Sequence, residues 1–261
     1  MARTHALYLM RYMKRRHQGY DLCDEQHCQV YKGLRAESQR SREVVDATRG
    51  KILEYRGRVA HVIYMSNCGG HTQDSADLSG WSPTPYLHGL PDGQAIARPE
   101  TPWELRRWLT SWPQAYCKPS NDVHPYHFRW QRVIPFSELS EKVDRKLKTG
   151  TLKALRTLRR SRSGNVNAIQ LIGSKRTARV DSEIQIRGLL GIGSLRSTLF
   201  FVDTELGADG KPETLVFHGG GWGHGVGLCQ SGAMGRADAG QSFEQIVTGY
   251  FKGSSLGDIR Y

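Results

Sequence analysis

The segment that most restricts how this chain can fold is residues 217–233, which read FHGGGWGHGVGLCQSGA. Six glycines in its first eleven residues leave the backbone free to adopt positive φ angles and to approach another surface closely. Trp222 and His224 alternate with these glycines, and a histidine on a loop with so few side chains has little core around it. We therefore interpret the segment as a binding loop. The alternative is a tight bend between a strand and a helix.

Two kinds of glycine-rich phosphate loop do not fit this segment. No Gly-Lys-Ser/Thr follows the glycines, and Leu228 occupies the position of the last glycine in a G-x-G-x-x-G pattern. Nucleotide binding is therefore disfavoured.

The chain is basic, with 261 residues and a formal net charge of +12. One cluster of its cations lies between residues 145 and 162, which favours a polyanionic partner, the alternative being an ordinary solvated surface. Nucleic acid and anionic cell-wall polymers both qualify, but none of the common nucleic-acid-binding signatures accompanies the charge, so nucleic acid is the less favoured partner. No apolar run approaches the length of a membrane span.

Hydrophobic periodicity and turn residues predict an α+β fold with mixed sheets and short helices. The predicted helices are residues 3–16, 41–48, 101–110, 137–147, 183–190, 232–239 and 243–251. The predicted strands are residues 51–55, 58–65, 126–133, several within 152–180, 198–202 and 214–217. We expect one domain over residues 1–261, with a possible subdivision near residue 120.

A candidate metal site follows the first predicted helix. His17, Cys23 and Cys28 are soft ligands that suit zinc, and His27 is a possible fourth. Their spacing departs from the Cys-x-x-Cys pattern of zinc fingers, so a pair of ordinary thiols is the alternative. The chain has five cysteines, and an odd number argues against a fully paired disulfide framework.

Two nucleophilic arrangements are conceivable in the sequence. Ser66, His71 and Asp74 include the residue types of a hydrolase triad, but no G-x-S-x-G elbow is present. Cys68 and Cys229 each lie near a histidine in sequence, although a small buried cysteine is the commoner outcome.

Several separated stretches, in order along almost the whole chain, resemble the stage II sporulation protein D family, which includes the amidase enhancers of bacterial cell walls. The matching stretches begin with Ala-Arg-Thr-His-Ala-Leu-Tyr and are residues 2–8, 19–33, 45–50, 64–70, 85–87, 186–191, 195–197, 217–233 and 249–253.

This resemblance implies lytic cleavage of peptidoglycan glycan strands, especially strands without stem peptides, at the cell envelope outside the cytoplasm. It implies that Arg3, Ser66, His224 and Gln230 line a groove and bind sugar. It also implies zinc held by a histidine and two cysteines, which here are the three ligands named above. Glycan strands and a cell-wall amidase are the expected partners.

Lytic cleavage needs one carboxyl group that first protonates the glycosidic oxygen and then accepts a proton from the sugar's own hydroxyl. The glutamate with this role in the family lies upstream of the Ala-Arg-Thr helix, where this sequence offers no matching position. Met1 leads into that helix without a secretory signal. We therefore expect an N-terminally truncated member with no assigned catalytic residue. The alternative is a non-catalytic glycan-binding amidase enhancer.

Overall fold

The computed structural model describes residues 1–13, 17–25, 28–93, 98–191 and 193–259. The helices are α1 (Ala2–Tyr12), α2 (Gln39–Ala47), α3 (Pro102–Thr110), α4 (Pro125–Phe128), α5 (Phe136–Leu147), α6 (Glu183–Leu190), α7 (Gln230–Asp238) and α8 (Phe243–Tyr250). The strands are β1 (Lys51–Tyr55), β2 (Arg58–Val59), β3 (Tyr64–Met65), β4 (Arg129–Pro135), β5 (Leu152–Arg160), β6 (Val166–Gly173), β7 (Thr177–Val180), β8 (Phe200–Leu206), β9 (Pro212–Gly220), β10 (Leu228–Cys229) and β11 (Ser255–Asp258). The predicted α+β class is confirmed. Across these ranges, no helix combines the length and the apolar character needed to cross a bilayer.

The chain divides into two compact units. Unit 1 comprises residues 1–63 and 243–261, and unit 2 comprises residues 64–242, so residue 120 lies within unit 2. In unit 1, β1 is the centre of an antiparallel sheet between β11 and β2. The hairpin between β1 and β2 turns at Arg56 and Gly57, which both have positive φ angles, as the Arg-Gly pair predicts.

Helix α1 of unit 1 is fixed by polar side chains on its buried face. The hydroxyl of Thr4 accepts a hydrogen bond from the N–H of Leu53 in β1 at 3.0 Å. The ring nitrogens of His5 pair with the carbonyls of Val62 at 2.8 Å and Cys28 at 2.7 Å. The buried side chains of Thr4 and His5 therefore hold α1 against neighbouring backbone segments of unit 1.

Unit 2 is built on two antiparallel sheets, ordered β4-β9-β8 and β5-β6-β7. Their apolar faces and the buried faces of α5 and α6 form one core, in which Val143 and Phe217 are both 0 % exposed. The ring of Phe217 packs edge-on against Phe200 at a centroid distance of 5.3 Å. Because β9 is the central strand of its sheet and ends at Gly220, it fixes the position at which the following segment begins.

Most predicted elements over residues 58–242 are present, with two corrections. The Thr101–Glu104 capping box opens α3 as predicted, and α6 has its predicted bounds. The predicted strand at residues 126–133 is wrong at its start, because Pro125 and the cap from His124 initiate the one-turn helix α4. The predicted strand at 58–65 is two short strands, β2 and β3, which pair in different sheets.

Candidate functional site

The candidate site of unit 2 lies where two loops meet, the glycine loop (residues 221–227) after β9 and the asparagine loop (residues 66–71) after β3. Strands β3 and β10, which flank this junction, pair in parallel. Asn67 and Trp222 exchange two backbone hydrogen bonds, with N···O distances of 3.1 and 2.7 Å. The structure therefore brings together the Ser-Asn-Cys-Gly-Gly motif at residues 66–70 and the Gly-Trp-Gly-His motif at residues 221–224, which are far apart in sequence.

The glycines of the loop permit this close approach, as the sequence predicts. Gly221 and Gly223 have φ angles of 77° and 121°. A Cβ at Gly221 would lie 2.7 Å from the carbonyl oxygen of Asn67, and one at Gly223 would lie 2.6 Å from the Cβ of Met65. Both positions therefore require glycine for two reasons, the backbone conformation and the space.

Backbone amides of the glycine loop have fixed partners in other segments. The N–H of Gly221 donates to the carbonyl of Phe128 at 3.1 Å, and the N–H of Gly223 donates to that of Arg196 at 2.8 Å. The indole N–H of Trp130 donates to the carbonyl of Gly221 at 2.9 Å. These hydrogen bonds fix the backbone of the glycine loop at Gly221 and Gly223.

Trp222 projects from this loop with 39 % of its surface exposed. The guanidinium of Arg196 lies over its ring at 4.4 Å from the centroid, and the ring of His127 meets it edge-on at 4.8 Å. Burial and then the nearby charges of Arg196 and His124 lower the pKa of His127. Tryptophan and arginine thus form a half-exposed aromatic and cationic surface.

His224 is half-buried, and both of its ring nitrogens contact the backbone. Nδ1 accepts from the N–H of Val226 at 3.2 Å, so Nε2 carries the proton and donates to the carbonyl of Tyr64 at 3.1 Å. Burial lowers the pKa of His224 to about 4, with a smaller contribution from Arg187. The ring of Trp81 packs against it at a centroid distance of 5.2 Å. His224 is a neutral residue that holds the loop in place.

The other residues predicted to bind sugar have different surroundings. Ser66 is half-buried, and its carbonyl accepts from both the N–H and the hydroxyl of Ser231 at 3.0 Å. Gln230 is exposed at the first residue of α7. In unit 1, the guanidinium of Arg3 donates to the carbonyls of Thr48 at 2.5 Å and Lys51 at 3.0 Å, after the end of α2. Arg3 therefore stabilises the connection from α2 to β1.

The conceivable serine triad is not assembled. The carboxylate of Asp74 pairs with His88 at 3.1 Å, and Nδ1 of His71 faces the carbonyl of Thr72 at 2.6 Å. His71 is 5 % exposed, and burial lowers its pKa. The partnership of histidine and carboxylate that would activate Ser66 is therefore missing between these residues.

The two cysteines considered as nucleophiles, Cys68 and Cys229, are buried in unit 2. The N–H of Cys68 donates to Sγ of Cys229 at 3.2 Å. Cys117 and Asp92, which the sequence did not indicate as site residues, lie beside them, with the Sγ atoms of Cys68 and Cys117 3.6 Å apart. No local spacing marks these residues, because they come from distant parts of the chain.

The three ligands predicted for zinc in unit 1 do converge. The donor atoms of His17, Cys23 and Cys28 all lie within 4.8 Å of one another, and Nε2 of His17 is 3.0 Å from Sγ of Cys28. The His17 ring stacks on Tyr20 at a centroid distance of 4.5 Å. His27 lies outside the described residues.

Comparisons with known proteins agree with the resemblance seen in the sequence. Residues 80–227 match a family described as a domain of unknown function (DUF8618), and residues 1–55 match the family described as Stage II sporulation protein. An uncharacterized protein of Brachyspira hyodysenteriae is 27% identical over 258 residues, covering 98% of this chain and 59% of that protein. The amidase enhancer of Bacillus subtilis is 24% identical over 250 residues, covering 87% of this chain and 34% of that protein. The chain thus spans less than two thirds of either relative. Through residues 80–227 the chain belongs to the DUF8618 domain family, and the match of residues 1–55 together with the similarity to an amidase enhancer supports its assignment to the stage II sporulation protein D family.

Proposed function

We propose that this chain binds peptidoglycan glycan strands that have lost their stem peptides, and that it supports a cell-wall amidase at the cell envelope, outside the cytoplasm. The similarity to an amidase enhancer supports the cell-wall context. The observation that carries the proposal is the surface formed by Trp222 and Arg196 at the junction of the two loops.

The charge of the proposed ligand matches this surface. Removal of a stem peptide by an amidase converts the amide on each muramic acid into a free carboxylate, so a denuded strand carries repeated negative charges. Nη1 of Arg196 is buried and has no hydrogen-bond partner among the residues that the structure describes. Burial and the positive charge of Arg132 lower the pKa of Arg196. A carboxylate beside the partly exposed Arg196 side chain would accept a hydrogen bond from its guanidinium and offset the repulsion between the two arginines.

The exposed part of the Trp222 ring supplies the second element of sugar recognition. The C–H faces of a sugar ring are apolar and pack against aromatic rings, while the hydroxyls at its rim remain hydrogen-bonded to polar groups. Because the glycine loop fixes the ring through the backbone pairing with Asn67, we expect little loss of freedom when a strand binds.

Co-sedimentation with three insoluble glycans tests this proposal. The chain is mixed with amidase-treated peptidoglycan, intact peptidoglycan and chitin, which is neutral. We expect the tightest binding to the denuded strands, and we expect Trp222→Ala and Arg196→Gln each to weaken it at least tenfold, which corresponds to about 1.4 kcal/mol. Stimulation of a purified cell-wall amidase by the chain should decrease in the same two variants.

Trp103→Ala is the matched control for Trp222→Ala. Trp103 is 66 % exposed on α3 and also lies under an arginine, with Arg107 5.6 Å from its ring centroid. The proposal predicts unchanged glycan binding in this control. Equal binding to all three glycans, or equal loss in Trp103→Ala and Trp222→Ala, contradicts it.

Lytic cleavage is a second candidate function, and Asp77 is the observation that favours it. Burial, and then the charge of Asp74, raise the pKa of this half-buried carboxyl, while Arg159 and Arg162 act in the opposite direction. Asp77 ends a short helical turn that leads to Trp81, the residue packed on His224. A carboxyl with a raised pKa suits the first step of cleavage, which is protonation of the glycosidic oxygen.

The products of digestion distinguish the two functions. Denuded strands are incubated with the chain, and the released fragments are analysed by mass spectrometry for anhydro-muramic ends. Cleavage that disappears in Asp77→Asn, with glycan binding retained, would establish lytic activity. Binding without such ends would leave glycan binding as the function.

We also propose that His17, Cys23 and Cys28 hold a zinc ion. Imidazole and thiolate donors suit zinc, and the convergence of the three donor atoms within 4.8 Å fits a single ion. Three protein ligands leave a fourth position to which zinc, when bound, would admit a water molecule. Replacement of Cys23 and Cys28 by serine should remove one zinc per chain in elemental analysis, and an unchanged zinc content would contradict the assignment.

A further inference from the structure

Four potential metal ligands converge inside unit 2. Cys68, Asp92, Cys117 and Cys229 each offer one donor atom, and these atoms all lie within 4.8 Å of one another. All four residues are buried, with exposed fractions of 4, 0, 0 and 0 %. Ordinary packing explains one buried thiol, but it does not explain why a carboxylate joins three of them.

The distances in this cluster fit a tetrahedral ion. A Zn–S bond of about 2.3 Å gives an S···S separation of about 3.8 Å at the edge of a tetrahedron. The Sγ atoms of Cys68 and Cys117 are 3.6 Å apart, and Sγ of Cys68 is 3.7 Å from Oδ2 of Asp92. The thiols are thus much farther apart than the roughly 2.05 Å of a disulfide bond.

The surroundings of the cluster provide the hydrogen bonds that metal-bound thiolates need. Sγ of Cys229 accepts from the backbone N–H groups of Cys68 and Gly232, both at 3.2 Å. Oδ1 of Asp92 pairs with Arg236 at 3.3 Å, which leaves Oδ2 directed at the thiols. Hydrogen-bond partners of this kind orient the residues that bind a metal and adjust the basicity of their donor atoms.

Charge balance also favours a divalent cation. Three thiolates and one carboxylate around Zn²⁺ carry a net charge of −2, by simple addition of the formal charges. Two arginines supply the opposite charge. Arg236 pairs with Asp92, and the buried Arg129 lies beside the asparagine loop, where it donates to the carbonyl of Gly69 at 2.9 Å. Such burial of charge is costly unless the charges are paired.

We propose that Cys68, Asp92, Cys117 and Cys229 form a closed zinc site in unit 2. Four protein ligands leave no position for water, so the role of this ion is structural. It would tie the asparagine loop to the start of α7 and to the segments around residues 92 and 117. This site is separate from the one proposed at His17 and does not depend on glycan binding.

The decisive experiment uses the full chain with the other zinc ligands removed. The variant Cys23→Ser/Cys28→Ser is purified, and its zinc is measured by elemental mass spectrometry. We expect about one zinc per chain. X-ray absorption should give a first shell of three sulfurs at about 2.3 Å and one oxygen at about 2.0 Å. Replacement of the zinc by Co²⁺ should produce the intense absorption of a tetrahedral thiolate complex.

A third substitution and a matched control separate loss of ligands from loss of stability. Adding Cys117→Ser to the double variant should weaken zinc binding at least tenfold, measured by competition with a chromophoric chelator. Adding Leu87→Ala instead removes a buried side chain of unit 2 and leaves all four ligands, so it should keep the zinc.

Two results would overturn the proposal. One is a folded Cys23→Ser/Cys28→Ser variant that contains no zinc and takes up none from a zinc buffer. The other is a disulfide between any two of Cys68, Cys117 and Cys229, found by peptide mass spectrometry of the unreduced chain. If Cys117→Ser does not fold, the zinc content and X-ray absorption of the double variant still decide the question.

Discussion

Asn67→Ala is the substitution that tests the junction of the two loops most directly. The Asn67 side chain is 1 % exposed and makes two hydrogen bonds of 2.8 Å, donating to the carbonyl of Cys117 and accepting from the N–H of Gly69. Alanine removes both bonds and leaves two buried backbone groups without a partner. Each such group costs about 1–2 kcal/mol, so the free energy of unfolding should fall by about 2–4 kcal/mol.

Tryptophan fluorescence can measure this loss in unit 2 alone, because all six tryptophans of the chain lie between residues 81 and 222. Urea unfolding of the wild type and of Asn67→Ala gives the two free energies. Asn121→Ala, at an exposed loop position, is the control and should change the free energy by no more than about 0.5 kcal/mol. A change in Asn67→Ala as small as that of the control would refute the reasoning.

Three further predictions concern single positions. Gly223→Ala should lower the free energy of unfolding of unit 2, measured in urea, by at least about 2 kcal/mol and should abolish glycan binding. The control is Gly240→Ala, at a φ of 81° with no atom within 4 Å of the new Cβ, which should lower it by only about 1 kcal/mol. Burial lowers the pKa of His224 to about 4 in the folded state, whereas the unfolded residue titrates near its ordinary 6.5. As the pH falls, the unfolded state therefore binds the proton first, and the free energy of unfolding should decrease between about pH 6.5 and pH 4. His224→Asn should flatten that part of the pH profile, and an identical slope in the variant would contradict the assignment. Thr101→Ala removes the cap of α3 and should cost about 1 kcal/mol in the same unfolding assay; no loss would show that the cap contributes nothing.

Local signals predicted the elements that are determined locally. The capping box at Thr101 marks a helix start that depends on a few neighbouring residues. The glycine content of residues 219–227 likewise indicated that the backbone can adopt positive φ angles there, as Gly221 and Gly223 do. Both kinds of prediction need no knowledge of distant parts of the chain.

Features that depend on distant partners could not be predicted in the same way. Strand β3 exists because β10 pairs with it from more than 160 residues away, so residues 58–65 could not be divided correctly from sequence. The convergence of Asp92 and Cys117 on Cys68 has no spacing signal for the same reason. The sequence analysis predicted a sugar-binding role for His224, and only the structure shows the backbone partners that occupy both of its ring nitrogens.

The backbone pairing of the glycine loop has a consequence for its evolution and engineering. The amides of Gly221, Trp222 and Gly223 each donate to a carbonyl in a different segment, namely Phe128, Asn67 and Arg196. Inserting or deleting one residue here would shift every later amide away from its acceptor, whereas changing the Trp222 side chain leaves the pattern intact. Libraries that vary ligand preference should therefore keep the length of this loop constant and randomise the side chains that project from it.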